Sequence, residues 1–420
     1  MGTLCYEVGM QVEILNTGTE LLLGTTQNTH GGWLGAALRN LGVRVARQVT
    51  VADGEPVMEA IKEGVERADI LIVTGGLGPT SDDLTREAVA EAMGIELIED
   101  EHALRVIEAF FQKIGKEMAP SNRKQALIPC GAEVLPNPNG TAPGVYVPPR
   151  LGKGAPCAVF LLPGPPRELY PMYHAEVPHR VRALADIGES HTMVEMKFTG
   201  IGESDFHESL DSRLQAIRGL EVGYCARPSE VDLRLIGEAE VVEEARQLVA
   251  EVFPDEMISD DGRSLEKVVV DLLTEKGLLI ATAESCTGGA IASRLTDVAG
   301  ASEVFTHGFV SYSNAAKSQL LGVDEAALEA HGAVSEVVAK AMAEGALQQS
   351  GADIAVAVTG IAGPGGGSEE KPVGTVWIGL AVRGREVAAV RAFYPKDRAT
   401  FKLMVEQRAL DMVRKVLVRF

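Results

Sequence analysis

The sequence predicts an α/β protein with two doubly wound, three-layer α/β domains separated by a small α+β domain. Three observations carry this. Apolar runs such as ADILIVTGG (68–76) and GLLIATA (277–283) are unbroken and bounded on both sides, as strands of a buried parallel sheet are. They alternate with segments of helical periodicity, the signature of β-α-β units. Between 191 and 253 the pattern changes to strand, helix, strand, strand, helix.

MQVEILNTG (10–18) is the first strand, ending in a turn. Residues 29–41 place Trp33, Leu34, Ala37, Leu38 and Leu41 at helical spacing and stop at Gly42, a C-cap residue. VRVARQVTV is the second strand, and PVMEAIKEGVERA is a helix with Pro56 in its first turn. ADILIVTGG and LTREAVAEAMG supply the third strand and the next helix. The Pro, Gly and Asn stretch PNPNGTAPGVYVPPR (136–150) precedes CAVFLLPGPPRELY, a strand, turn and helix start. The first domain is expected to span residues 1–173, the middle one 174–256 and the third 257–420, with the acidic stretch PDEMISDDGRS (254–264) as linker. The strands of the third domain are GLLIATA, VFTHGFVSY, DIAVAVTG, GTVWIGLAV and EVAAVRAFY. A length of 420 residues suits two to three domains, and 46% apolar residues can fill their cores.

The net charge of −20 argues against direct nucleic-acid binding, because phosphate backbones repel such a chain. Cys5, Cys130, Cys157, Cys225 and Cys286 are odd in number, far apart and form no CxxC, which reads as reduced thiols without a disulfide framework or zinc site. With no long apolar stretch and no signal-peptide pattern, a cytoplasmic protein without membrane contact is expected.

Two constellations carry chemistry. The first is TGGLGPTSDDLT (74–85), a glycine turn between a buried strand and a helix, where open parallel sheets bind ligands. Gly75, Gly76 and Gly78 permit close backbone approach, and a following helix N-terminus favours an anion. The same pattern describes an ordinary turn with Thr80 or Ser81 as N-cap. Asp82 and Asp83 would repel a phosphate unless a hard cation such as Mg²⁺ lay between them. NGTAPG (139–144) and PGPPRE (163–168) should reach the same sheet edge, with Asn139, Gly140, Thr141 and Gly164 at their turns. Arg167 there is either a phosphate contact or a solvated helix residue.

The second is TAESCTGG (282–289). A helix is expected over 287–295, with Ser285 in the turn or at its N-cap. Ser285 is a candidate nucleophile and also a plausible helix cap. Cys286 competes as the stronger intrinsic nucleophile, or is a buried apolar residue. In VSYSNAAKSQLLG (310–322), Asn314 reads as an N-cap, which puts Lys317 at N3, on the positive end of the helix dipole. Position and burial would both lower its pKa toward a neutral amine able to accept a proton, although a solvated lysine fits the local pattern equally. Tyr312 could join the same hydrogen-bond set. TGIAGPGGG (359–367) offers backbone N–H groups for an oxyanion or phosphate, and Arg398 a further phosphate contact or a surface residue.

Together TGGLGPTSDDLT, NGTAPG, LPGPPREL, AESCTGG, YSNAAK, GIAGPGGG and KPVGTVWIGL, in this order from Met10 to near the C-terminus, resemble the CinA family of competence/damage-inducible proteins. The resemblance implies a first domain of molybdopterin-binding fold that hydrolyses ADP-ribose with a divalent metal. It implies a third domain that deamidates nicotinamide mononucleotide (NMN) through a Ser–Lys mechanism needing no cofactor. The family's serine, tyrosine and lysine fall on Ser285, Tyr312 and Lys317, and the aspartate of its glycine motif on Asp83. Asp82, Asp83 and Glu203 are the candidate metal ligands. Gly75, Gly76, Gly78, Thr80, Asn139, Gly140, Thr141, Gly164 and Arg167 are the candidate ligand contacts of the first site. Thr287, Gly288, Gly360, Ala362, Gly363, Gly365 and Arg398 are those of the second. A homodimer is the expected assembly. One departure is His30, where the family pattern has asparagine. The alternatives are a first domain that only binds a pterin or nucleotide, and a competence-associated interaction protein.

Overall fold

The computed structural model describes residues 10–149, 151, 156–185 and 191–420. They form two compact units, Met1–His191 and Thr192–Phe420.

In the first unit the strands are β1 (Val12–Thr17), β2 (Val45–Val51), β3 (Ile70–Thr74), β4 (Leu97–Glu99), β5 (Leu127–Pro129), β6 (Glu133–Leu135), β7 (Gly144–Val147) and β8 (Ala158–Leu162). Six make one sheet, in the order β2-β1-β3-β8-β7-β6. β2, β1, β3 and β8 are parallel; β7 and β6 extend the sheet antiparallel. Alternation sorts the side chains between two cores. Val12, Ile14, Ile70 and Ile72 face one layer, with Leu34 and Leu38 of helix His30–Arg39. Leu15, Leu71 and Val73 face the other, with Val57, Ile61 and Val65 of helix Glu55–Arg67. This is the three-layer arrangement that unbroken apolar strands require. Residue 173 falls inside helix Pro166–Glu176, whose Leu169, Met172 and Tyr173 pack on the first of these cores with Val177 and Val181.

The second unit opens with a four-stranded sheet, β10-β11-β9-β12, built from β9 (His191–Thr199), β10 (Glu221–Arg227), β11 (Glu230–Glu238) and β12 (Met257–Ser259). Helices Glu203–Gln215 and Ala239–Val252 complete the α+β module, with Phe198, Phe206, Leu233 and Val249 in its core. The stretch expected to be a linker therefore contributes a strand. β12 pairs antiparallel with β9, Ile258 is buried, and Arg414 donates to the carbonyls of Met257 and Asp255, both at 2.7 Å. Three residues in an acidic setting are too short to show strand periodicity.

The remaining sheet has the order β14-β13-β15-β16-β17, from β13 (Ile280–Glu284), β14 (Phe305–Val310), β15 (Ile354–Gly360), β16 (Thr375–Val382) and β17 (Ala388–Phe393). β14, β13 and β15 are parallel, and β16 and β17 close the edge antiparallel. On β15, Ile354, Val356 and Val358 meet helices Leu265–Lys276 and Arg398–Val418, whereas Ala355 and Ala357 meet helix Glu336–Ser350. The alanine face lets that helix lie close. The same helix abuts helix Asn314–Leu321 at Gly345, where a methyl group would overlap the Leu321 carbonyl.

Candidate active site

The first unit gathers a cleft at the carboxyl ends of its adjacent strands β1, β3 and β8, where open parallel sheets place ligands. Thr17 ends β1 and Gly18 follows it, Gly75 to Pro79 follow β3, and Pro163 to Pro165 follow β8; Thr141, Ala142 and Gln125 complete the wall. Gly75 and Gly76 have φ of 92° and 65°, a left-handed pair that turns the chain just where Gly75 N ends the β3–β8 ladder by donating to the Leu162 carbonyl at 3.0 Å. Arg86 props this loop from behind. It is fully buried and donates to the carbonyls of Leu77 (3.0 Å) and Gly78 (3.2 Å), and burial pulls its pKa down. The sequence hid this role, because an arginine one residue into an acidic helix start looks solvated.

Of the residues expected here, Gly75, Gly76, Gly78, Asp83, Thr141 and Gly164 line the cleft together. Neither Thr80 nor Ser81 caps the helix, which starts at Thr85 after Leu84. Thr80 instead donates to Asp83 Oδ2 from its N–H (2.9 Å) and its hydroxyl. Asp82 is exposed and does not line the cleft, since the turn that aims Asp83 inward points its neighbour out. Asn139 lies outside too, and its amide donates to the Arg167 carbonyl at 3.0 Å, joining the two loops. Arg167 is 80% exposed, the solvated alternative. Gly140 faces a neighbouring pocket instead. His30 opens a helix and does not line the cleft. The Glu203 side chain lies outside the described residues.

Glu20, Asp53, Asp83 and Glu168 line this cleft, and no lysine or arginine does. Among the described residues no cluster of three metal-type side chains forms a cage. The donor set instead suits Mg²⁺, which keeps waters and takes one or two carboxylates plus phosphate oxygens.

The second unit places Ser285 directly after β13, where its N–H continues the ladder to the Val358 carbonyl at 3.0 Å. Neighbouring β14 ends beside it, with Ser311 N donating to the Glu284 carbonyl at 2.9 Å. Chain reversal at Tyr312 and Ser313 starts helix Asn314–Leu321, and Lys317 reaches back from its first turn. Lys317 Nζ lies 3.0 Å from Ser285 Oγ and 2.9 Å from the Ser311 carbonyl. Lysine and serine are 1% and 8% exposed, so the contact is shielded from bulk water. Burial lowers the pKa of the ammonium from its ordinary value, and among the described residues no carboxylate pairs with it. The N-cap is Ser313, accepting from Ala316 N at 3.1 Å, so Lys317 stands one position deeper than N3. The dipole argument survives this shift.

Ser285, Tyr312, Lys317, Gly360, Ala362 and Arg398 line one pocket, joined by Thr359 and by Asn314, which the sequence offered only as a helix cap. Arg398 donates to Tyr312 Oη at 3.1 Å and to the Gly363 carbonyl at 3.0 Å, fixing its guanidinium at the rim. Gly363 and Gly365 do not line the pocket, the first acting through its carbonyl. Cys286 lines it but is 5% exposed, and burial pushes its thiol up to about 12, which removes it as a nucleophile near neutral pH.

Glu284 is the residue the sequence left without a role. The following helix starts at Ala290, not near Thr287, with Gly289 as N-cap. The Glu284 carboxylate accepts from Thr287 Oγ1 (2.6 Å), Gly289 N (2.9 Å), Ile291 N (3.1 Å) and Ala292 N (2.8 Å). It satisfies the helix N-terminus that an anionic ligand would otherwise use. Thr287 is thus fully buried and spoken for, and neither it nor Gly288 lines the pocket. An acid shortly before a Gly-Gly helix start was the available signal. Replacing Glu284 by Ala leaves buried donors unpaired, so denaturant unfolding should show a loss of about 3 kcal/mol; a loss under about 1 kcal/mol would contradict this anchoring.

Fold and sites together define a multidomain α/β chain with a glycine-loop cleft and a buried serine–lysine pair. Three family models match it: a probable molybdopterin binding domain over residues 13–183, the damage-inducible protein CinA KH domain over 194–254, and the CinA C-terminal domain over 262–417. A CinA-like protein of Akkermansia muciniphila is 50% identical over 96% of both chains. A putative competence-damage inducible protein of Caldicellulosiruptor bescii is 45% identical over 98% of this chain and all of its own. The solved competence/damage inducible protein CihA of Agrobacterium tumefaciens is 47% identical, covering 35% of this chain and 90% of its own, with a TM-score of 0.35. The chain belongs to the CinA family, which includes enzymes. Among the described residues no helix is long and apolar enough to cross a membrane.

Proposed function

We propose that the chain is a cytoplasmic, bifunctional hydrolase of the pyridine-nucleotide cycle, acting on NMN and on ADP-ribose. The observation that carries the reading is the 3.0 Å contact between Ser285 Oγ and the buried amine of Lys317. A nucleophile needs a base at this range, and a lysine whose pKa burial lowers is suited to act as one. Neutral Lys317 takes the hydroxyl proton as Ser285 Oγ attacks the carboxamide carbon of NMN. The tetrahedral intermediate collapses, its C–N bond breaks, and the amine passes the proton to the departing nitrogen, which leaves as ammonia. Water then cleaves the acyl-serine and frees nicotinate mononucleotide. Arg398, fixed at the pocket rim, is the group suited to the substrate phosphate. The helix N-terminus beside Ser285 is not, because Glu284 occupies it.

In the first unit the proposed reaction is cleavage of ADP-ribose to AMP and ribose 5-phosphate. The four carboxylates of the cleft support the need for a divalent cation, held by Asp83 and substrate phosphate oxygens. Bound there, the cation would neutralise phosphate charge and polarise the phosphorus centre. Chelation with EDTA is expected to abolish AMP release, and Asp83→Ala to lower it by about 10²-fold or more. Full turnover in either case would rule out this chemistry. The match to a molybdopterin binding domain favours one alternative, a unit that binds a pterin or nucleotide without cleaving it; absence of AMP release by the unaltered protein would establish that.

A further inference from the structure

No step above uses Lys124. It stands on the 3-10 helix Pro120–Ala126, does not line the glycine-loop cleft, and its setting SNRKQALIP (121–129) gives no hint of a role. Its side chain is nonetheless only 21% exposed, and Nζ donates to two carbonyls of the loop, Thr80 at 3.1 Å and Asp83 at 2.6 Å. We propose that Lys124 is a positioning residue of the first site, holding from outside the cleft the turn that presents Asp83 to a divalent cation. This rests on the reading of the cleft as a metal-assisted phosphate site.

Three observations carry it. The two carbonyls are the ends of one turn, so a single ammonium closes it from behind. Thr80 closes the same turn from the front, giving its N–H (2.9 Å) and hydroxyl to Asp83 Oδ2. The carboxylate is thereby laid over Gly78, where any Cβ would overlap it. Among the described residues no hydrogen bond engages Oδ1, which is the oxygen left for a cation. The next residue along the chain grips the other end of the loop. Gln125 lines the cleft and donates to the Leu77 carbonyl at 3.3 Å, and its own Oε1 accepts from Asn122 at 3.0 Å. Finally, charge gives Lys124 no reason to be there, since an ammonium behind the loop repels a metal ion in front of it. Its ion pair with Glu87 Oε1 at 3.2 Å dampens that repulsion and leaves the two carbonyl bonds as its contribution. The two effects have opposite signs. Loss of the charge would tighten metal binding, whereas loss of a partner that orients a ligand weakens it about tenfold or more.

Mn²⁺ binding to the full chain in the presence of AMP, followed by the paramagnetic resonance of free Mn²⁺, tests this without turnover. Lys124→Met should weaken Mn²⁺ about tenfold or more, and Lys124→Arg, which keeps N–H donors, should recover most of the loss. Glu87→Gln removes the ion pair but not the carbonyl bonds, and should stay within about threefold of the parent chain. In turnover, the Mg²⁺ needed for half-maximal AMP release should rise in K124M by the same factor as the Mn²⁺ affinity falls. Circular dichroism checks that each variant folds, and should K124M not fold, Lys124→Ala takes its place. A folded K124M that binds Mn²⁺ as tightly as the parent, or more tightly as charge alone dictates, would overturn the proposal. The cleft reading fails separately. Asp83→Ala that binds Mn²⁺ like the parent takes the metal away from Asp83, whereas loss of binding in D83A with none in K124M removes Lys124 alone. A parent chain that binds no Mn²⁺ sinks both.

Discussion

Replacing Ser285 by alanine should reduce ammonia release from NMN by about 10⁴-fold or more in kcat, because it deletes the bond-forming atom of the proposed acyl intermediate. Replacing Cys286, the adjacent and chemically stronger nucleophile, should change kcat by less than about threefold. The contrast follows from geometry. Ser285 Oγ meets the Lys317 amine at 3.0 Å, whereas the Cys286 thiol is buried and pushed up to about 12. The lost rate should come from kcat, since the hydroxyl contributes little to holding the ground state. Near-normal ammonia release from S285A, or its collapse in C286A, would reverse the assignment of nucleophile.

Lys317 gives the second large effect, with activity and stability moving apart. Lys317→Met should lower kcat by about 10⁴-fold, yet melt no lower than the parent chain. Burial depresses the folded-state pKa of Lys317 below the 10.5 of the open chain. Between those two values the unfolded chain binds more protons, so stability rises with pH across that window; below it the cost of burying the amine is constant and fully felt. Methionine fills similar volume without that cost. Lys317→Arg should be equally inactive, because a guanidinium keeps its proton. For the parent enzyme, log(kcat/KM) should climb with unit slope through the lowered Lys317 pKa and then level off, a limb absent from both variants. A lysine variant with substantial rate and that same limb would exclude the amine as base.

Residues differ in how openly their neighbours along the chain announce them. β3, β8 and β15 are near-continuous apolar runs, and β1 and β13 are strongly apolar apart from Glu13, Thr282 and the residues at their ends, so the layers and the sheet edge with its loops were legible in advance. Lys317 was legible because a lysine in a first helical turn is misplaced, which asks for a reason. Arg86 and Glu284 were not. Both are charged residues that bury themselves by bonding backbone groups of a turn, and a turn's backbone leaves no trace in residue type. β12 was missed for a related reason: pairing with β9, not its own composition, makes it a strand. Thr287 and Gly288 were expected to meet a ligand, and the Glu284 carboxylate at the helix start shuts them out. The helix N-terminus there does attract an anion, and the chain supplies its own.

The seam between helices Asn314–Leu321 and Glu336–Ser350 has a consequence for the chemistry of the amine. Gly345 admits the Leu321 carbonyl where any side chain would push it away, and Lys317 rides on the same short helix. The depth at which the amine sits is thus set by a clearance at the far side of that helix. A single added methyl would act as a shim, lifting the helix and letting solvent reach the lysine, without touching the pocket. Tuning of the base is in this sense a matter of mechanical tolerance, decided where no substrate ever goes.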